Sequence, residues 1–315
     1  MLSSDNETSG AQRILSDRYA LVSIIGQGGM ATVHLAIDRQ TDRPCAVKIL
    51  SPALARHINA RHRFQREAEI LEKLDHPRIV RILALENTVQ MSYLVMELVR
   101  GQSLWHWVGH HGPMPASLAS YATLQVCEAI AAAHKAGVIH RDLKPQNVLV
   151  APQNQCRVVD FGLARTPESL SLTRTGATMG TVGFMAPEQR LDASRTDHLA
   201  DIYSLGAMLL ALVTGLIPKD LHSALENAGS RVSPKLLHVM MRATLLRPEH
   251  RYDTVQEFRT ALARAAPSLD ASLYPRLHIP LNTKEMEPLP NSQETIMLTE
   301  GDLLTEISLS TSSDQ

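Results

Sequence analysis

The sequence predicts an α+β protein of two lobes, a small β-rich lobe with one main helix followed by a larger, mainly α-helical lobe. Three observations predict it. Short apolar runs separated by turn signals fill residues 19–98. From about residue 102 to 265 the apolar spacing becomes helical. No repeat of fixed period runs through either part. The 315 residues, 44% hydrophobic, suffice for one large two-lobed domain with a sizeable core. A cleft is expected between the lobes, a common place for ligand sites.

Residues 1–18 read as a flexible leader. MLSSDNETSG is polar and acidic, with neither a basic nor an apolar region, so a secretory signal is not expected. The first lobe spans about 19–98. Tyr19–Ile25 and Thr32–Ile37 read as strands around the turn GQGGMA, and Cys45–Leu50 follows the hairpin signal RQTDRP. RHRFQREAEILEKL (61–74) places Phe64, Ala68, Leu71 and Leu74 on one helical face. RILALEN (81–87) and SYLVMEL (92–98) return to strand character. The second lobe, about 102–265, holds helical patterns at 117–137 and 196–215 and further helices to about 265. LGAMLLALVTGLI (205–217) is too short to span a bilayer and reads as a buried core helix. Residues 266–315 read as a polar, acidic, flexible tail. Its short apolar islands, such as TIMLTE (295–300), could dock on a partner or fold back on the preceding domain.

Charge narrows the function classes. Lys+Arg 31 against Asp+Glu 32 argues against a general nucleic-acid binder, and 4% aromatic residues offer few stacking platforms. Cys45, Cys127 and Cys156 form no CxxC pair and read as small buried hydrophobes in a reducing compartment, so a cytoplasmic location without a membrane span is expected.

The chemistry concentrates in a few stretches. HRDLKPQN (140–147) lies between the apolar runs AGVIH and VLV, which read as strands, so it reads as a loop held by a scaffold. Within it Asp142 could accept or orient a hydroxyl proton, Lys144 could neutralise transferred charge, and Asn147 offers a hard oxygen ligand. Eighteen residues after Asp142, DFG follows the strand CRVV, and Asp160 supplies the carboxylate that Mg²⁺ prefers. IGQGGMATV (25–33) sits between two strands, where its glycines let the backbone pass close over phosphates. Lys48, in the strand AVK, needs an anionic partner; Glu67 on the following helix is the natural candidate, with Glu69 and Glu72 competing.

The order of these stretches, ending in APE (186–188), resembles the eukaryotic-type protein kinase family from about Tyr19 to Ala265. The phrases FQREAEILEKLDHPRIV and AHKAGVIHRDLKPQN look most like its bacterial Ser/Thr branch. The resemblance implies the two-lobed protein-kinase fold, ATP as phosphoryl donor, and Mg²⁺ (with Mn²⁺ as the alternative ion). It implies that Ile25, Gly26, Gln27, Gly28, Gly29, Met30, Ala31, Thr32 and Val33 cover the nucleotide. Ala46 and Val33 would roof the adenine, Leu149 would form its floor, Met96 would be the gatekeeper, and the backbone at Glu97 and Val99 the hinge. Lys48, paired with Glu67, would contact the α/β-phosphates, and Asn147 and Asp160 would hold the metal. Asp142 would be the catalytic base and Lys144 a γ-phosphate contact.

DLKPQN implies Ser/Thr acceptors in proteins. Thr181 resembles the threonine that ties the substrate-accepting loop to Asp142 and Lys144, Glu188 the buried partner of an arginine (Arg251 fits), and Asp201 the acid that holds the catalytic-loop backbone. Two positions depart from the pattern: Ala31 replaces the third loop glycine, and Phe184 stands where many members have Tyr. Ser and Thr fill the segment between DFG and APE, where Thr173 and Thr175 are the autophosphorylation candidates, opposite Arg141. Autophosphorylation in trans would call for a dimer, and acids near Thr295 and Thr299 suit a phosphothreonine-reading partner. The competing readings are a nucleotide-binding pseudokinase scaffold, opposed by the presence of Lys48, Asp142, Asn147 and Asp160, and a small-molecule phosphotransferase, opposed by HRDLKPQN with the long segment ending in APE.

Overall fold

The computed structural model describes residues 13–28, 31–56, 58–87, 91–161, 181–191 and 196–269. The first lobe is built on a six-stranded antiparallel sheet of order β1-β2-β3-β4-β6-β5. Its strands are β1 (Ile14–Leu15), β2 (Tyr19–Gln27), β3 (Ala31–Asp38), β4 (Arg43–Leu50), β5 (Ile82–Asn87) and β6 (Ser92–Glu97). β1 falls inside the expected leader: Ile14 and Leu15 pair with Ala20 and Tyr19, and Leu15 is buried. Asp38 ends β3 in a two-pronged pair with Arg18 at 2.8 Å and also accepts from the Gln40 N–H and Thr41 hydroxyl, which closes the turn into β4. Burial on β4 follows what a sheet covered on both faces requires, with Cys45, Ala46, Val47, Ile49 and Leu50 all buried.

A short helix α1 (Pro52–Arg56) precedes α2 (Ile58–Glu72), the main helix of this lobe. Ala68 and Leu71 bury its inner face and Leu74 packs at the edge, as the spacing predicts; the side chain of Phe64 lies outside the described residues. Backbone hydrogen bonds join the segment before β5 to residues of the second lobe at an isolated bridge between Ile79 and Val158. The Val158 N–H donates to Arg78 O at 2.8 Å and the Val80 N–H donates back to Val158 O at 3.0 Å.

The second lobe opens with β7 (Gln102–Ser103), which pairs with β8 (Val148–Ala151), itself paired with β9 (Gln155–Val158). Its helices are α3 (Leu104–His111), α4 (Ala116–Lys135), α5 (Pro187–Leu191), α6 (Leu199–Thr214), α7 (Leu221–Gly229), α8 (Pro234–Ala243) and α9 (Val255–Ala265). α6 contains most of LGAMLLALVTGLI and is buried along its whole length, so it is the central column of the lobe. Among the described residues, no helix is long and apolar enough to cross a membrane.

One expected strand is not a strand. In AGVIH the Ala136 N–H donates to Ala132 O, the Gly137 N–H to His134 O and the Val138 N–H to Ala133 O, so the run wraps the end of α4. Gly137 takes a left-handed φ of 80°, and the chain enters the catalytic stretch as irregular backbone. Cys45, Cys127 and Cys156 are all free and buried, and burial pushes each thiol up, Cys45 to about 11.

Candidate active site

Residues 140–147 are held from below by a single carboxylate. Asp201, in the first turn of α6, is fully buried, and its Oδ2 accepts from the His140 N–H at 2.8 Å and from His134 Nε2 at 2.7 Å. Its Oδ1 accepts from the Arg141 N–H at 2.9 Å. Burial alone would push this carboxyl up; the His134 hydrogen bond and charge, with the His140 contacts, outweigh it and hold it below the ordinary range. The bonds matter because Arg141 sits at φ 63°, a left-handed conformation that costs a non-glycine residue about 1–2 kcal/mol. The Gln189 side chain fixes the other end, donating through Nε2 to Arg141 O at 3.1 Å. Strain determined from both sides is the signature of a constrained functional loop.

His140 carries the next level. Its ring is buried, Nε2–H donates to Val159 O at 3.1 Å, and Nδ1 accepts from the Asp142 N–H at 3.3 Å. Burial pushes its pKa down, opposed by the charges of Asp201 and Asp142, and this neutral tautomer is the one the two bonds require. The ring also packs on Phe161, with centroids 4.6 Å apart, so the loop of Asp142 and the stretch beginning at Asp160 are one packed unit.

Asp142 is the focus of the side chains above it. Lys144 Nζ lies 3.2 Å from its Oδ2, and Asn147 Nδ2 donates to its backbone O at 2.8 Å and to Oδ2 at 3.3 Å. Asn147 leads into β8 through a short 3-10 turn of Pro145–Asn147, and its carbonyl accepts from the Val159 N–H at 3.0 Å. That bond brings Asn147 opposite the residue before Asp160. Lys48 Nζ reaches across from β4 to Asp160 Oδ1 at 2.9 Å. Burial would raise the Asp160 carboxyl, but the charge and hydrogen bond of Lys48 bring it below the usual range. Asp160 is itself at φ 55°. An ionised carboxylate and an amide whose nitrogen is already committed to Asp142 leave two oxygen donors suited to a hard divalent cation.

For Lys48 the structure shows a partner that the sequence reading did not name, and it leaves the Glu67 expectation untested. Among the described contacts its partner is Asp160, while Glu69 accepts from Gln65 at 2.8 Å and Glu72 is exposed. Glu67 lies on α2, with its side chain outside the described residues. The turn expected to cover phosphates belongs to the β2–β3 hairpin: Gly26 pairs with Val33, Gln27 with Thr32, and the Gly28 N–H donates to Ala31 O at 2.9 Å; Gly29 and Met30 lie outside the described residues. Met96 is buried and pairs with Ala46 across β4 and β6; behind it a cavity is lined by Lys48, Leu71, Leu94, Asp160 and Phe161. Leu149 lies in β8 opposite Arg157, whose guanidinium reaches Glu97 at 3.1 Å, and Val99 follows in the connector between lobes. Thr181 begins a 3-10 turn to Phe184, with its side chain outside the described residues, and Thr173 and Thr175 also lie outside them.

Sequence reasoning left His134, His140 and Gln189 without roles. Gln189 bonds the 140–147 stretch directly, His140 lies within it, and His134 bonds the Asp201 carboxylate beneath it; these contacts join residues far apart in sequence, so no local spacing signals them. The expected partner of Glu188 is present: Arg251, fully buried, donates to both of its oxygens at 2.7 and 2.8 Å, whereas the Thr181 reading falls on a side chain outside the described residues. Phe184 is buried, and its carbonyl accepts from the Ser204 hydroxyl at 2.8 Å.

Comparison with known proteins agrees with this geometry. Residues 19–273 match the protein kinase domain family. The chain is 36% identical over 265 residues to the serine/threonine-protein kinase PrkC of Bacillus subtilis, covering 80% of this chain and 41% of PrkC. It is 38% identical over 269 residues to the serine/threonine-protein kinase PknB of Mycobacterium leprae, covering 79% of this chain and 43% of PknB. The chain thus spans about two fifths of the length of these curated relatives. Among solved structures, the Mycobacterium tuberculosis PknI kinase domain superposes with a TM-score of 0.67 at 26% identity, covering 81% of this chain and 99% of that one. Rad53 in complex with AMP-PNP gives a TM-score of 0.64 at 28% identity over 78% of this chain and 64% of that one. Sequence order, packing and relatives lead to one conclusion: the chain belongs to the protein kinase family, in company with the bacterial serine/threonine-protein kinases.

Proposed function

We propose that this chain is an active serine/threonine protein kinase that transfers the γ-phosphoryl group of MgATP to hydroxyls of protein substrates. The observation that carries this reading is the convergence on Asp142 Oδ2 of Lys144 at 3.2 Å and Asn147 at 3.3 Å, with Asn147 bonded to the backbone beside Asp160. Phosphoryl transfer needs little covalent help from the protein, so positioning and charge neutralisation are expected to supply most of the rate. Asp142 orients the acceptor hydroxyl and takes its proton; Lys144 offsets charge on the transferring group. Lys48, which the structure pairs with Asp160, binds the α/β-phosphates, and these compete with Asp160 for its ammonium. The β2–β3 hairpin, from Ile25 to Val33, covers the phosphates, and Ala46, Leu149 and the backbone of Glu97 and Val99 hold the adenine. Asn147 and Asp160 hold Mg²⁺, which when bound draws charge from the β- and γ-phosphates. Glu67 is the partner proposed for Lys48 once the divalent cation has taken its place on Asp160.

The test is phosphate transfer from labelled ATP to a generic basic protein. Asp142→Asn is expected to lower turnover by at least about 10²-fold while nucleotide binding persists. Unchanged turnover would remove Asp142 from the mechanism, and absence of transfer by the unsubstituted chain would leave the scaffold reading. Phosphopeptide mapping after that reaction is expected to find Thr173 and Thr175 modified, and a map without phosphate between residues 163 and 185 overturns autophosphorylation there. A dimer for phosphorylation in trans, a cytoplasmic location and a phosphothreonine-reading partner for Thr295 or Thr299 belong to the same reading.

A further inference from the structure

Residues 294–307 read ETIMLTEGDLLTEI, with four acids, no base and an apolar set of Ile296, Met297, Leu298, Leu303, Leu304 and Ile307. This segment lies outside the described residues. A chain of this composition gains from any surface that is apolar at its centre and positive at its rim.

One face of the helical lobe has that character. α8 exposes Lys235 and His238, with Arg242 next at helical spacing. Beyond the end of α8 the same face continues into Leu245 and Leu246, which are 40% and 71% exposed, with Met241 at 46% beside them. A hollow adjoins this stripe between α8 and α9, and Arg242, Tyr252, Glu257 and Arg264 are among its walls. Arg242 is fixed there, 4.2 Å over the Tyr252 ring and 3.2 Å from Glu257, while Arg264 is exposed and brings a second positive charge.

We propose that residues 294–307 dock in cis on this face, with their apolar residues on Met241, Leu245 and Leu246 and their acids toward Arg242 and Arg264. Reach and concentration favour it. The same helix that walls the hollow, α9, ends at Ala265 and releases the chain beside it. A tether of 24 residues, the length from 270 to 293, has a random-chain end-to-end distance of about 25–30 Å, enough to return to α8. A tether of that length gives an effective concentration on the order of 1 mM, so an intrinsic Kd of about 100 µM already gives about 90% occupancy.

The test uses the full chain labelled at its methionine methyl groups and reads the Met241 and Met297 resonances by NMR. Asp302→Lys with Glu306→Lys is expected to move both resonances, and Arg264→Glu, an exposed change, to move them likewise. Combining the three substitutions is expected to return both toward their original positions. An unmoved Met241 resonance on tail reversal overturns the proposal. So does a shift that fades on dilution from about 200 µM to about 5 µM, which assigns the face to a second copy. Neither readout depends on phosphotransfer, so failure here leaves the kinase reading intact.

Discussion

Lys48 Nζ lies 2.9 Å from Asp160 Oδ1, a pair made across 112 residues and between the two lobes. The lysine holds the carboxylate ionised before any metal arrives, which keeps the site ready but gives a cation a competitor. Lys48→Met is therefore expected to have two separable effects. Phosphate transfer falls by about 10²–10³-fold, the scale of removing one preorganised charge from a transition state. Asp160 loses its depressed pKa, so metal-dependent nucleotide binding shifts to higher pH. A titration of Mg²⁺-dependent nucleotide binding against pH checks the second effect; a profile identical to that of the unsubstituted chain would show that Lys48 does not tune Asp160.

That pair also marks where sequence reasoning stops. Strand alternation, helical spacing and the order of the short motifs place Lys48, Asp142, Asn147 and Asp160 on their elements, because each signal is local. The partner of Lys48 is not local: it depends on how closely the lobes approach, and three glutamates on α2 offer the same charge. AGVIH illustrates the other limit. A run of five residues ending in His140 shows no period, and the left-handed φ of Gly137, which turns the run into a helix cap, is visible only in the backbone. The scaffold bonds of Asp201 and Arg251 are legible only through the family resemblance, and the structure supplies their physical reason: a buried charge requires partners.

Arg251 and Glu188 support the lobe without touching the chemistry. The guanidinium is fully buried and also donates to the carbonyls of Leu199 and Leu245, both at 2.9 Å. Arg251→Met strands Glu188 and these carbonyls, so a loss of about 3–5 kcal/mol is expected. Urea unfolding measures it. A second change, Glu188→Leu in the Arg251→Met chain, is expected to recover part of the loss by removing the stranded charge. A loss under about 1 kcal/mol in the single variant would mean water replaces the guanidinium.

The buried histidines fix a direction for the pH dependence. Burial lowers His140, His34 and His76 below their ordinary 6.5, so below that pH the unfolded chain binds protons that the folded chain refuses. Their contribution is fully present above about pH 6.5 and is lost as pH falls, chiefly through the fully buried His140, because solvent screens the partly exposed His34 and His76. Asp201, also lowered, extends the decline to more acidic pH, below its unfolded value of 3.8. Urea midpoints are expected to fall steadily between about pH 7 and 5.5, and less steeply in a His34→Gln, His76→Gln chain. Flat midpoints across that window would mean the folded chain takes up the same protons.

Gly101 couples the connector between the lobes to the sheet of the helical lobe. A Cβ at this position would stand 2.0 Å from Val150 O and 2.6 Å from the Val150 carbonyl carbon, both backbone atoms that cannot turn aside. Gly101→Ala must therefore move the connector or part β7 from β8, where Gln102 pairs with Val150. Stability is expected to drop by about 1–3 kcal/mol, the usual scale of overpacking. The connector also carries Val99, whose carbonyl accepts from the Gly101 N–H at 3.1 Å. The displacement is thus expected to raise KM for ATP more than it lowers kcat, because the adenine contacts shift while Asp142, on the loop above Asp201, and Asp160, beyond the end of β9, stay in place. Steady-state kinetics separates the two constants. Equal loss in both would place the strain on the catalytic loop instead of the connector.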